Sequence, residues 1–240
     1  MSVQSIIRLQ KRSKRKIKVK TTKRIDTIVE IIRKISGSYS EYQVFCDWIQ
    51  CSAIAIQNTS CLIHDALWET REKAYLEVIK KYPAGVFQKL FALLVEELEE
   101  NMSDVLGHVY MAGGMGSKAV GQFFTPFHLS YLTAQTGIAS DIEALRSQKY
   151  IYVNEPSIGG GGMVIGLAKA LHEHGIDYQR KLKVVGQDLD WKGVYMSYVQ
   201  LSLLGIDAII AQGDTLIEPY DSGFPAERFL RSPRNMGVLL

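Results

Sequence analysis

Glu155-Pro156-Ser157-Ile158-Gly159-Gly160-Gly161-Gly162, led in by Tyr150-Ile151-Tyr152-Val153-Asn154, decides how this chain reads. A short run rich in β-branched and aromatic residues ends in four consecutive glycines, and Met163 to His174 continues at helical spacing. Strand, glycine turn and helix in that order form the unit with which an open parallel sheet holds a nucleotide. Glycine lets the backbone turn sharply and lets a ligand approach where any side chain would clash. Three loop chemistries compete for these residues. A phosphate-binding P-loop needs Lys-Ser/Thr after its last glycine, and Met163-Val164 stands there instead. The dinucleotide spacing G-x-G-x-x-G fails in each register, because it calls for glycine at Val164 or at Ile165. The spacing acid-x-x-x-Gly-x-Gly is met, by Glu155, Gly159 and Gly161.

Working downstream, Leu182 to Gly186 reads as a second apolar strand and Trp191 to Leu204 as a helix, closed by Gly205. Ala208 to Ala211 reads as a third strand. The second strand ends in Gly186-Gln187-Asp188, where a carboxylate can accept from both hydroxyls of a ribose. Asp190, two residues on, fits a helix cap. Gly213-Asp214 follows the third strand, where an acceptor can meet an exocyclic amine. Acids at three successive strand ends repel a pyrophosphate but suit a nucleoside that carries ammonium and sulfonium charges. S-adenosylmethionine is the cofactor this pattern points to. The plainer reading, a glycine loop that only packs helix on strand, leaves the other two acids unexplained.

Upstream, residues 25–112 read as helical. Phe45, Trp48, Ile49, Ser52 and Ile56 recur at helix spacing, as do Phe87, Leu90, Phe91, Leu94 and Leu98. The run Glu96-Glu97-Leu98-Glu99-Glu100 reads as the solvated face of a helix. Near Gly113 the composition turns to glycine and small residues, and a helix is predicted from Pro126 to about Thr136. Strands alternating with helices then imply an α/β domain, a Rossmann-like parallel sheet, over residues 113–240. Cys46, Cys51 and Cys61 with His64 match no compact zinc spacing, so buried thiols and no metal centre are expected.

The net charge of +3 hides an asymmetry. Residues 1–24 carry ten Lys or Arg and no acid, which leaves 18 basic residues against 25 acidic ones in the remainder. A basic arm on an acidic body suits a polyanion, and Lys11, Arg12, Lys14, Arg15, Lys16, Lys18 and Lys20 are the candidate nucleic-acid contacts. A solvated tail is the alternative. No apolar run reaches the roughly 18 residues that cross a bilayer, and no cleavable leader follows the basic start, so no membrane partner and a cytoplasmic location are expected.

Gly121-Gln122-Phe123-Phe124-Thr125-Pro126 resembles the GQ(F/Y)FTP element of N-6 adenine DNA methylases, the family of type I restriction-modification M subunits. The lead-in Asp104-Val105-Leu106-Gly107 is similar to the family's, Glu155 to Met163 resembles its DPxxGxGG(M/F) loop with Glu for Asp, and Gly186-Gln187-Asp188 stands where the family has GxE. The resemblance covers roughly residues 104–217. It implies a methyltransferase core with a helical N-terminal region, and cofactor contacts from Gln122, Phe123, Phe124, Thr125 and Pro126. It also implies contacts from the loop residues Glu155, Pro156, Gly159, Gly160, Gly161 and Gly162, and from Asp188 and Asp214.

The departure concerns catalysis. The family's (N/D)PP(F/Y) tetrapeptide, which holds the target amine and stacks on the flipped base, has no counterpart after Asp214. Ser232-Pro233-Arg234-Asn235 lacks the second proline and the aromatic. No catalytic residue can be named, and much of the sheet's second half is missing from the pattern. Three functions remain open. One is a DNA adenine-N6 methyltransferase whose missing residues come from a second subunit, a homo-oligomer or an unrecognised substitute. The second is a methylase-derived module that binds cofactor and DNA without chemistry. The third is a small-molecule enzyme, which leaves the basic arm without a task.

Overall fold

The computed structural model describes residues 22–115, 124–139 and 141–238. Among the described residues five helices come first: α1 (Lys23–Ser36), α2 (Glu41–Ser60), α3 (Ala66–Ile79), α4 (Val86–Glu100) and α5 (Val105–Ala112). Their starts are written in the sequence. Thr22, Ser40, Asp65 and Asp104 each accept a backbone N–H of the first turn, filling donors that the helix itself leaves open. Apolar residues at helix spacing turn inward, and Ile28, Ile32, Phe45, Trp48, Leu90 and Leu94 are fully buried.

Helix α1 begins at Lys23, so two residues of the basic stretch belong to the folded body. Arg24 ion-pairs with Glu96 at 3.2 Å, with Glu97 at 3.6 Å and with Glu100. The acidic run on α4 is therefore not simply a solvated face: Glu97 is buried, with Arg24 as its counter-charge. An unpaired charge at that depth would cost several kcal/mol.

The second half runs α6 (Phe127–Ala139), α7 (Ile142–Ser147), β1 (Ile151–Glu155), α8 (Gly162–Glu173), α9 (Tyr178–Lys181), β2 (Leu182–Asp188), α10 (Trp191–Leu203), β3 (Asp207–Gln212) and β4 (Phe229–Arg231). The sheet order is β1-β2-β3-β4. The first three strands are parallel, in the register Ile151 to Leu182 and Val184 to Ala208. The expected β-α-β-α-β alternation is present, and Asp190 caps α10 by accepting the Lys192 amide. The fourth strand departs from an all-parallel sheet: β4 runs antiparallel to β3, with Ile210 opposite Leu230.

One apolar core runs through both halves, from Ile25 to Leu230. Helix α10 joins them, packing on β2 and β3 and against α2. Parallel strands are ordinarily covered on both faces and paired on both edges. Here β1 pairs with β2, and among the described residues no strand takes its other edge. Tyr152 and Asn154, on one face of β1, are exposed.

Candidate functional site

A cleft of about 670 Å³ opens where β1, β2 and β3 end, the position at which an open α/β sheet receives its ligand. The loops that follow the three strands are laced together beneath it. Ile158 N–H donates to the Gln187 carbonyl at 2.9 Å, Gly213 N–H to the Asp188 carbonyl at 2.8 Å, and Thr215 Oγ1 to the Pro156 carbonyl at 2.8 Å. These bonds hold the mouth of the cleft as one unit.

The glycine loop needs its glycines. Gly159 has φ of +52° and Gly161 of +88°, in the left-handed region that side chains disfavour. A Cβ on Gly159 would also lie 3.2 Å from the Phe124 ring, and one on Gly160 would lie 2.9 Å from Asp104 Oδ1. The loop is squeezed from both sides.

Asp188, at the tip of β2, is buried. Its Oδ2 accepts the Gly159 amide at 2.8 Å and its Oδ1 the Asp190 amide at 2.9 Å. A carboxylate so held keeps lone pairs directed at the cleft it lines. Asp214, after β3, accepts the Leu216 amide at 2.9 Å and lines the same cleft. Phe124 leans over the loop, with its ring edge-on to Tyr110 at 5.2 Å.

The expected residues divide. Phe124, Thr125, Pro156, Gly159, Gly160, Gly162, Asp188 and Asp214 line the cleft together. Glu155, Pro126 and Gly161 do not. The Glu155 carboxylate turns back to accept the Ser157 amide at 3.3 Å. Pro126 immediately precedes α6, its carbonyl accepting the Leu129 amide at 2.8 Å. Gly161 packs toward Ser197. Gln122 and Phe123 lie outside the described residues, as do Lys11, Arg12, Lys14, Arg15, Lys16, Lys18 and Lys20.

Nine further residues line the cleft: Asp104, Ser130, Ser157, Ile158, Met163, Gly213, Thr215, Leu189 and Leu216. The last two are exposed apolar side chains beside Asp188 and Asp214. Their sequence signal is slight, although a leucine directly after a strand-end acid, placed in water, is unusual. Asp104 reads locally as a helix cap, which it is. Nothing in its neighbourhood announces that it faces glycines more than fifty residues away. It reaches them through a buried junction: Gln200 Nε2 donates to Asp104 Oδ1 at 2.9 Å and to the Gly160 carbonyl at 2.7 Å. Gln200 Oε1 accepts the Leu106 amide at 3.0 Å.

Other residues settle into packing. Trp191 stacks on Tyr195 and is not part of the cleft lining. His174 Nε2 lies 3.1 Å from Gln135 Oε1. The cysteines are free thiols, and burial pushes Cys46 up to about 11 and Cys51 up to about 12. Among the described residues no cluster of His, Cys, Asp and Glu is arranged to hold a metal ion.

A family model described as N-6 DNA Methylase matches residues 101–229, more than half of the chain. The chain belongs to the N-6 DNA methylase family. The methylase match takes in α5, the glycine loop, Asp188 and Asp214, so every lining residue of the cleft falls inside it. Among solved structures, the methyltransferase subunit of a type I restriction-modification system from Streptococcus thermophilus is 17% identical, with a TM-score of 0.42. That match covers 84% of this chain and 41% of the other. A Listeria monocytogenes protein assigned as a class I S-adenosylmethionine-dependent methyltransferase is 13% identical, with a TM-score of 0.48, over 82% of this chain and 55% of the other. This methylase-family chain thus spans 41% and 55% of the lengths of the solved proteins it resembles. No curated protein matches the sequence.

Proposed function

We propose that the chain binds S-adenosylmethionine in the cleft and serves adenine-N6 methylation of DNA, with the groups that hold the target base supplied by a partner subunit or a second copy. The observation that carries this reading is the charge of the cleft in a chain of this family. Asp104, Asp188 and Asp214 line it, and none of its described lining residues is Lys, Arg or His. A wall of carboxylates repels a pyrophosphate and draws a ligand carrying a sulfonium and an ammonium. The volume suits a nucleoside-sized ligand, and the exposed Leu189 and Leu216 offer apolar faces to a purine.

When bound, S-adenosylmethionine supplies an electrophilic methyl group on sulfur. The chain's own residues bind and orient. Asp188, steadied by two backbone amides, accepts from vicinal hydroxyls, and the loop glycines allow close approach of the ligand. Holding the reactants in place is the main means by which such a site accelerates transfer.

The target-base elements are proposed to come from another polypeptide. Ser232-Pro233-Arg234-Asn235 follows β4, and the Ser232 hydroxyl bonds to the Ala208 amide and the Ile206 carbonyl at the start of β3. That is the end of the strand remote from the cleft. Among the described residues no strand takes the second edge of β1, which leaves room for a further strand beside the glycine loop. DNA is the proposed polyanion for the basic residues between Lys11 and Lys20. Among the described residues no helix is long and apolar enough to cross a membrane.

The missing tetrapeptide also favours a second reading, a module that binds cofactor and DNA without transferring methyl groups. Radiolabelled S-adenosylmethionine with mixed-sequence DNA separates the two. Label entering DNA with a candidate partner present, and lost in Asp188→Ala, supports the methyltransferase. Cofactor binding without incorporation under every condition supports the module.

A further inference from the structure

We propose that Asp104 and Ser130 form a subsite for a zwitterionic amino-acid group, with Asp104 receiving its ammonium and Ser130 its carboxylate. The inference rests on the S-adenosyl reading and assigns the end of the ligand that Asp188 and Asp214 leave unread.

Asp104 is 3% exposed, yet it lines the cleft. Its Oδ1 accepts the Gly107 amide at 2.9 Å and the Gln200 amide group at 2.9 Å. Its Oδ2 accepts no hydrogen bond from the described residues. A carboxylate oxygen at the cleft surface of a residue this buried can take a ligand ammonium through a charge-assisted bond. Glu155, the acid of the acid-x-x-x-Gly-x-Gly spacing, accepts the Ser157 amide and stands outside the lining.

Ser130, on α6, supplies the independent observation. It is fully buried, its Oγ has no hydrogen-bond partner among the described residues, and it too lines the cleft. The two side chains meet at Gly162: a Cβ there would lie 3.3 Å from Asp104 Oδ2 and 3.7 Å from Ser130 Oγ. Gly162 is the first residue of α8, whose N-cap Gly161 provides no side-chain cap. The opening amides of α8 therefore stay open to an anion, with the positive end of the helix dipole behind them. An acceptor, a hydroxyl donor and open amides around one point are what an α-amino acid group requires.

The test compares two probes by calorimetry on the full chain. S-adenosylhomocysteine has the amino-acid end, and 5′-methylthioadenosine keeps the nucleoside and sulfur but lacks it. Asp104→Asn keeps the helix cap and the bonds at Oδ1, because asparagine caps as well as aspartate, and it turns the free oxygen into a donor. We expect Asp104→Asn to weaken S-adenosylhomocysteine about ten- to a hundredfold, the span of a lost charged hydrogen bond. Ser130→Ala should weaken it about three- to tenfold, and neither variant should move 5′-methylthioadenosine by more than about twofold. Equal losses for both probes, or no loss for either, would overturn the subsite. Wild-type protein binding both probes equally overturns the subsite and leaves the cleft reading standing, whereas binding of neither removes the cleft reading itself.

Discussion

Gln200 ties the helical half to the glycine loop, and replacing it by methionine tests whether the two halves form one cooperative unit. Gln200 is fully buried and bonds to the Leu106 amide, Asp104 Oδ1 and the Gly160 carbonyl. Methionine matches its volume, so little cavity energy enters. Asp104 Oδ1 keeps the Gly107 amide as a partner. The Leu106 N–H and the Gly160 C=O lose theirs, and each orphaned group costs about 1–3 kcal/mol. Gln200→Met should therefore destabilise the protein by about 2–6 kcal/mol. Urea unfolding followed by circular dichroism reads this as a lower midpoint at an unchanged slope. The loosened loop should also weaken binding in the cleft. A loss below about 1 kcal/mol, with binding unchanged, would refute the view that this junction holds the loop in place.

Three further outcomes are expected. Asp188→Ala removes the acceptor for Gly159 and Asp190, and should weaken S-adenosylhomocysteine by tenfold or more, about 1.4 kcal/mol; unchanged affinity in calorimetry would take Asp188 out of the site. Burial raises the Cys46 thiol to about 11 and Cys51 to about 12, against an ordinary value of 9.0. The unfolded chain therefore ionises first, and stability that is complete below pH 9.0 falls as pH rises through the folded values, by about 1.4 kcal/mol per pH unit for each thiol. Under reducing conditions the urea midpoint should drop between about pH 8 and pH 10.5, and a constant midpoint would contradict the burial argument. Removing residues 1–21 spares Arg24 and its partners on α4 while deleting eight basic residues. DNA affinity should fall, and its salt dependence should flatten by about 0.9 for each phosphate no longer neutralised; an unaltered salt slope would free the arm from any role in DNA binding.

Local chemistry made much of this fold legible. Four glycines between a β-rich run and a helical run fixed β1, the loop and α8, because few other structures use that order. Asp188 and Asp214 were readable because strand ends can be counted from the apolar runs before them, and both line the cleft. What escaped was set by tertiary placement. Glu155 and Asp104 are both acids near a structural boundary; only the fold shows that the first bonds to its own turn while the second crosses to the loop through Gln200. Glu97 looked solvated because its run is charged, and Arg24, on another helix, explains its burial. The antiparallel β4 is three residues long, too short for a periodic signal.

Titration of the full chain with S-adenosylhomocysteine in a calorimeter, with NAD in a parallel cell, probes the acidic cleft most directly. Saturable one-to-one binding of the first ligand, and no heat from the pyrophosphate-bearing second, is expected from three carboxylates and no basic residue among the described lining. Preference for NAD, or silence with both ligands, would contradict it.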